Sequence, residues 1–231
     1  MEIKPIARIR NNYNSKFGIP RQSGLTRVLS EIVFEREYRD VNYIKGIEGF
    51  SHLWLIWNFS ESKDKTSPSV RPPRLGGNEK IGVFATRSPF RPNGLGLSLV
   101  ELREIKETSD GTVLVVSGAD LLNGTPIYDV KPYVEYADKP ERPASSYASA
   151  PPKKIIVAFE CYPDKGFFTD EKEYDSYLDQ LVSALSYDPR PAYHTDEDRI
   201  YGTTFGDFDV KFKIKEGTLT IIDFIRLSAM D

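Results

Sequence analysis

The chain has 231 residues, a formal net charge of −3, and 39% hydrophobic and 12% aromatic residues. That is enough apolar material for a packed core, in one large domain or one domain with a small appendage, and it excludes a disordered chain. A single cysteine, Cys161, and two histidines, His52 and His194, exclude a disulfide framework and argue against a Cys- or His-based metal site, so no metal is expected.

No apolar run approaches the roughly 20 residues of a membrane span, and the N-terminal MEIKPIARIR lacks a signal-peptide core. A cytoplasmic protein with no membrane contact is therefore expected.

In chain order, the first 140 residues read mainly as strands. IKPIARI, LSEIVFE, HLWLIWNF, KIGVFAT, LGLSLVEL, GTVLVVSG and PIYDVKPYV are short runs of branched and aromatic residues separated by turn formers. GLSLVELREI alternates apolar with polar residues, as a strand with one wet face does. Trp54, Leu55, Ile56 and Trp57 are assigned to the core, and a short helix is expected around Val41 to Gly46. Closely spaced strands without long helices between them point to a barrel or sandwich.

PERPASSYASAPPKK, Pro140 to Lys154, has linker composition. Beyond it, Tyr174, Tyr177, Leu178, Leu181, Val182 and Leu185 fall at helical spacing, with Thr169 or Asp170 as the cap. FDVKFKIKEG and TLTIIDFIRL then form a hairpin turning at Glu216–Gly217. The predicted class is mainly β, a barrel or sandwich domain over residues 1–140, a linker over 141–154 and a small α+β domain over 155–231.

Charge is unevenly spread. Met1 to Val28 holds six basic residues against one acidic, Arg71 to Arg103 six against two, and Glu160 to Asp209 four against thirteen. Such asymmetry suits an anionic partner on one face, or mutual attraction of the two halves.

Between Arg71 and Gly96, four arginines (Arg71, Arg74, Arg87, Arg91) share a segment with four prolines and five glycines. Proline fixes φ and glycine supplies shapes other residues avoid, so the loop is stiffened at chosen points. Rigid guanidinium forks suit planar or anionic ligands. Two further turns have the same character: Pro20-Arg21-Gln22-Ser23-Gly24, and Asn123-Gly124-Thr125-Pro126 with its Asn-Gly dipeptide. In the following strand Asp129 and Lys131 share a face, as a surface pair or with Asp129 as a proton acceptor. No nucleotide loop GxxxxGK[ST], no GxSxG elbow and no HExxH pair occurs, and Pro92-Asn93-Gly94-Leu95-Gly96 is not a dinucleotide fingerprint.

Six ordered stretches carry a resemblance: PRQSGL, GIEGFSHLWLIWNF, VRPPRLGG, GVFATRSPFRPNGLGLSLVEL, LLNGTPIYDVKPY and DPRPAY. Together they resemble the TrmO family of tRNA methyltransferases over essentially the whole chain. The resemblance implies a single-sheeted β-barrel that binds S-adenosylmethionine and acts as a homodimer. It implies methylation of N6 of the threonylcarbamoyladenosine at position 37, in the anticodon loop of threonine tRNA.

The matching positions for the methyl donor are Arg21, Gln22, Ser23, Glu61, Arg87, Leu97, Gly124, Thr125 and Pro126. Ser23 stands where the family often has proline, and Asn123 where it commonly has aspartate. Asp129 is the candidate catalytic residue. Arg71, Arg74, Arg91, Arg190 and Tyr193 are the candidates for tRNA contact. The competing functions are a non-catalytic RNA-binding barrel module and a small-molecule methyltransferase on the same barrel.

Overall fold

The computed structural model describes residues 2–62, 66–76, 78–190 and 196–227. Twelve strands are formed among the described residues. They are β1 (Ala7–Asn11), β2 (Leu29–Phe34), β3 (His52–Asn58), β4 (Ser69–Val70), β5 (Ile81–Gly82), β6 (Leu95–Thr108), β7 (Gly111–Ser117), β8 (Pro126–Pro132), β9 (Ile156–Phe159), β10 (Tyr201–Phe205), β11 (Phe208–Lys215) and β12 (Thr218–Arg226). Two α-helices accompany them, α1 (Glu135–Asp138) and α2 (Glu171–Leu185). The chain divides into two compact units, each discontinuous in sequence. The first takes residues up to Arg10, Glu31–Val116 and Gly124–Pro151, and the second takes Asn11–Ser30, Ser117–Asn123 and everything from Pro152.

Six strands close into a barrel in the order β1-β2-β7-β6-β3-β8. The period of two in β3 sets its inside: Leu53, Leu55 and Trp57 are buried, while Trp54 and Ile56 are half-buried on the outer face. The sequence alone places all four in the core, and the strict alternation of a barrel strand is what sends two of them outward. β7 is buried from Thr112 to Val116, matching its unbroken apolar run. Closure leaves no free edge to recruit another chain.

One glycine is indispensable to this packing. Gly96 on β6 pairs with Trp57 on β3, and a Cβ there would lie 2.3 Å from the indole Cε2. The indole sits flat on the glycine and donates from Nε1 to Ser98 Oγ at 2.9 Å. The Phe59 ring also packs on it, tilted by 59° with its centroid 4.3 Å away. The second glycine of PNGLG is thus a packing slot.

In the second unit β10-β11-β12-β9 form a four-stranded sheet, antiparallel except for the β12–β9 pair. α2 starts at Asp170, whose carboxylate accepts from the Glu173 N–H at 2.8 Å, while Glu173 accepts from the Thr169 N–H and hydroxyl. Its buried stripe, Tyr177, Leu181, Ala184 and Leu185, packs with Phe208, Val210, Phe212, Ile214, Leu219 and Ile221. Glu216 and Gly217, both at positive φ, turn the expected hairpin between Lys215 and Thr218.

Two local expectations are corrected. The helix expected around Val41 to Gly46 is a series of 3-10 turns, Arg36–Tyr38, Val41–Tyr43 and Ile47–Gly49, with Gly46 at φ 91° breaking any longer run. KIGVFAT is a strand only at Ile81–Gly82, after which Val83–Ala85 curls into a 3-10 turn. The proline-rich stretch before Lys154 carries contacts of its own: Arg74 Nη1 donates to Ala150 O at 2.7 Å, and the Tyr147 hydroxyl donates to Ala85 O at 3.3 Å.

Candidate functional site

In the first unit the basic segment is built as a frame. β4 pairs with β5, and the Val83 N–H donates to Pro68 O at 3.0 Å. Arg91 donates from Nη1 to the carbonyls of Thr86 (3.1 Å) and Ser88 (3.3 Å), so its guanidinium holds the loop together. Asn58 Nδ2 and the Phe59 N–H both donate to Gly94 O, which moors the segment to β3. Arg71, Arg74 and Arg87 are exposed on this frame, and Glu61 is exposed in the 3-10 turn Ser60–Ser62.

The register places two predicted site residues in one row. Leu97 on β6 faces Ile56 on β3, and Ile56 faces Asp129 on β8. Residues opposite one another on neighbouring strands share a face, so this row lies on the outer wall of the barrel. Leu97 is 51% exposed there. Between Asp129 and Ile127 the register shifts, leaving Tyr128 as the extra residue of a bulge. Asp129 Oδ2 lies 3.1 Å from Lys131 Nζ, and its Oδ1 accepts from the Val130 N–H. Asp129 and Lys131 do share a face and pair across it.

The turn ahead of β8 is held on both sides. The Gly124 N–H donates to Ile9 O at 2.8 Å, the Ile9 N–H to Thr125 O at 3.1 Å, and Arg8 Nη1 to Gly124 O at 3.2 Å. Thr125 and Pro126 are buried, which leaves Asn123 and Gly124 exposed, the latter at φ 78° and with open space where a Cβ would stand. A ligand at this turn meets backbone, and glycine is what admits a close approach.

In the second unit the PRQSG turn rests on Pro20, which is buried, with Arg21 exposed and Gln22 and Ser23 half-buried. The Gly24 N–H donates to Gly118 O at 2.8 Å, and the two backbones approach so closely that a Cβ on Gly118 would meet Gly24 at 3.1 Å. Downstream, the Arg27 and Leu29 N–H groups donate to Ser183 Oγ and Gln180 Oε1 of α2. Tyr13 is buried against Thr26, hydroxyl to hydroxyl at 2.9 Å, and burial pushes its hydroxyl pKa up. Asn123 accepts from the Asn11 N–H at 3.1 Å and donates to Asn14 Oδ1 at 2.8 Å. An aspartate there keeps the first bond, which accounts for either residue closing this turn.

Arg190 grips Asp188 through Nε (3.0 Å) and Nη2 (2.9 Å), and that hydrogen bonding raises its pKa. Only 19% of its side chain is exposed. Tyr193 lies outside the described residues. The commitments of Arg91 and Arg190 depend on backbone carbonyls and a neighbouring carboxylate, which composition alone does not reveal. Among the described residues no cluster of His, Cys, Asp or Glu is arranged to hold a metal ion.

Comparison with known proteins covers both units. The model of the tRNA-methyltransferase O N-terminal domain matches residues 8–139, and that of the TrmO C-terminal domain matches residues 152–226. A tRNA (adenine(37)-N6)-methyltransferase of Escherichia coli K12 is 39% identical over 220 residues, spanning 93% of this chain and 94% of that protein. A putative S-adenosylmethionine-dependent methyltransferase, RcsF, of Pseudomonas aeruginosa is 39% identical over 212 residues, 90% of each chain. The crystal structure of TrmO from Pseudomonas aeruginosa superposes with a TM-score of 0.76 at 30% identity, over 97% of this chain and 98% of the other. A likeness running through both units at these identities admits one conclusion: the chain belongs to the TrmO family of tRNA methyltransferases.

Proposed function

We propose that this protein is an S-adenosylmethionine-dependent tRNA methyltransferase that modifies N6 of adenosine 37, in threonylcarbamoyladenosine of the threonine tRNA anticodon loop. It acts in the cytoplasm as a homodimer, with residues 1–140 as the donor-binding barrel, 141–154 as linker and 155–231 as the accessory domain. The observation that carries this reading is the end-to-end match to a tRNA (adenine(37)-N6)-methyltransferase, 39% identical over 93% of the chain.

The residues present suit such a donor. It combines a sulfonium with a carboxylate, an ammonium and an adenine, so its site needs a cation, close backbone and an apolar wall. Arg87 is an exposed guanidinium, Gly124 offers open backbone, and Leu97 with Ile56 offers apolar surface. Arg21, Gln22, Ser23, Glu61, Thr125 and Pro126 complete the proposed donor contacts. Arg71, Arg74, Arg91, Arg190 and Tyr193 are proposed for the tRNA.

When bound, the donor supplies a carbon already activated for displacement. The chain's task is then mainly to hold the acceptor nitrogen in line and keep water away, which is worth up to about 7–11 kcal/mol in well-aligned cases. The attacking nitrogen is amide-like and must shed a proton. Asp129 is the proposed acceptor of it, and positioning by Lys131 keeps its carboxylate on the outer wall. Asp129→Asn should then lower kcat about 10²-fold while donor affinity holds. Turnover equal to wild type across about pH 6 to 9 removes this carboxylate from the mechanism.

The reading as a whole is tested by calorimetry with S-adenosylmethionine followed by transfer of labelled methyl to bulk tRNA. Saturable donor binding with label in RNA supports it. No donor site indicates an RNA-binding module, and donor binding without label in RNA indicates a small-molecule methyltransferase.

A further inference from the structure

Phe84 is 78% exposed, yet it stands on one of the most firmly held turns of the first unit. Val83 is buried beneath it as an anchor. Thr86 donates to Val83 O from both its N–H (3.1 Å) and its hydroxyl (2.8 Å), Arg91 grips the next carbonyls, and the Tyr147 hydroxyl caps Ala85 O. An exposed ring on a loose loop needs no explanation. A ring held out by this many backbone contacts is presented, since the chain around it has no freedom to fold it away.

The electrostatics of its surroundings narrow what it is presented to. Ser69 faces Gly82 and Val70 faces Ile81, so Arg71 and Lys80, both exposed, leave the β4–β5 pair side by side. Like charges at neighbouring positions repel, and an anion between them relieves the repulsion. From residue 66 to residue 97 the only acidic residue is Glu79, against five basic ones. The centre of a protein–protein contact is enriched in aromatics and arginine but depleted of lysine, and here an exposed lysine stands opposite Arg71. An exposed aromatic on a segment with several exposed cations and a single carboxylate is instead the composition of a surface for unpaired nucleic acid, where bases stack on rings and phosphates meet cations.

We infer that Phe84 is the platform on which an unpaired base of the RNA substrate stacks, with Arg71 and Lys80 holding the adjoining phosphates. The inference rests on the RNA-methylating function proposed above and adds Phe84 and Lys80 to it as residues that position the substrate.

The test uses the full chain and an anticodon stem-loop RNA of threonine tRNA. Phe84→Ala should weaken RNA binding and raise the KM for RNA about ten-fold, with donor affinity at the wild-type level. Phe84→Trp should restore binding, and its indole fluorescence should be quenched by the RNA. The Arg71→Ala, Lys80→Ala double variant should flatten the dependence of log Kd on log salt by about 1–2. RNA affinity of Phe84→Ala equal to wild type overturns the inference. A lower mass in light scattering for Phe84→Ala also overturns it, because the ring then belongs between copies of the chain. If wild-type protein methylates no RNA, the proposed function falls; if it does and Phe84→Ala matches it, this inference alone falls.

Discussion

Gly96→Ala should be among the most destabilising single-methyl changes in the chain, lowering stability by about 3 kcal/mol. The added Cβ would sit 2.3 Å from Cε2, 2.5 Å from Cζ2 and 2.7 Å from Cδ2 of Trp57. These atoms belong to a rigid bicyclic ring, so no flexible chain end can swing aside. Moving the indole breaks its bond to Ser98 and unseats Phe59. Shifting the β3–β6 backbone instead strains a closed barrel that has no edge to absorb the displacement. For a chain of this size the loss corresponds to a melting temperature lower by roughly 10 °C. A melting temperature within a degree or two of wild type contradicts this packing. The control is Gly124→Ala: its Cβ would meet nothing within 4 Å, so any cost there comes from φ 78° alone.

The second large effect is on donor binding. Arg87→Ala should weaken affinity for S-adenosylmethionine about 10- to 100-fold, the loss expected for charge-assisted hydrogen bonds to the carboxylate. The side chain is exposed, and the frame around it is held by Arg91, Thr86 and Tyr147. Thermal unfolding of Arg87→Ala close to wild type is the control that separates a lost donor contact from a damaged fold. Arg87→Lys should recover only a small part, because an ammonium restores the charge without the planar fork. Calorimetry on the three proteins checks both statements. Affinity unchanged in Arg87→Ala places this arginine outside the donor site.

What the sequence reveals and conceals follows from how local each signal is. The barrel strands are legible because alternation in HLWLIWN and LGLSLVEL is imposed residue by residue by the pleat. Helix α2 is legible because its stripe and its Asp170 cap obey spacing rules within a few residues. Strands β9 and β10 are not legible: IVAF is an edge strand completed only by β12, and YGTTF is a five-residue run whose Tyr-Gly start reads as the end of the polar loop before it. The run around Val41 has apolar residues near helical spacing, yet it is broken into 3-10 turns by Gly46, and Val41 and Tyr43 stay exposed. At the candidate site, proline and glycine mark the rigid loops directly. They do not show that Arg91 bonds to Thr86 and Ser88, or Arg190 to Asp188, since those bonds depend on the final path of the backbone. The row Leu97–Ile56–Asp129 is equally hidden, because register between distant strands decides it.

The most direct measurement is mass spectrometry of nuclease fragments from threonine tRNA, after incubation with the protein and S-adenosylmethionine. The fragment containing position 37 should become heavier by one methyl group, carried on N6 of its threonylcarbamoyladenosine, and only when the donor is present. An unchanged fragment in the presence of demonstrably bound donor, or a methyl on any other nucleoside, contradicts the account.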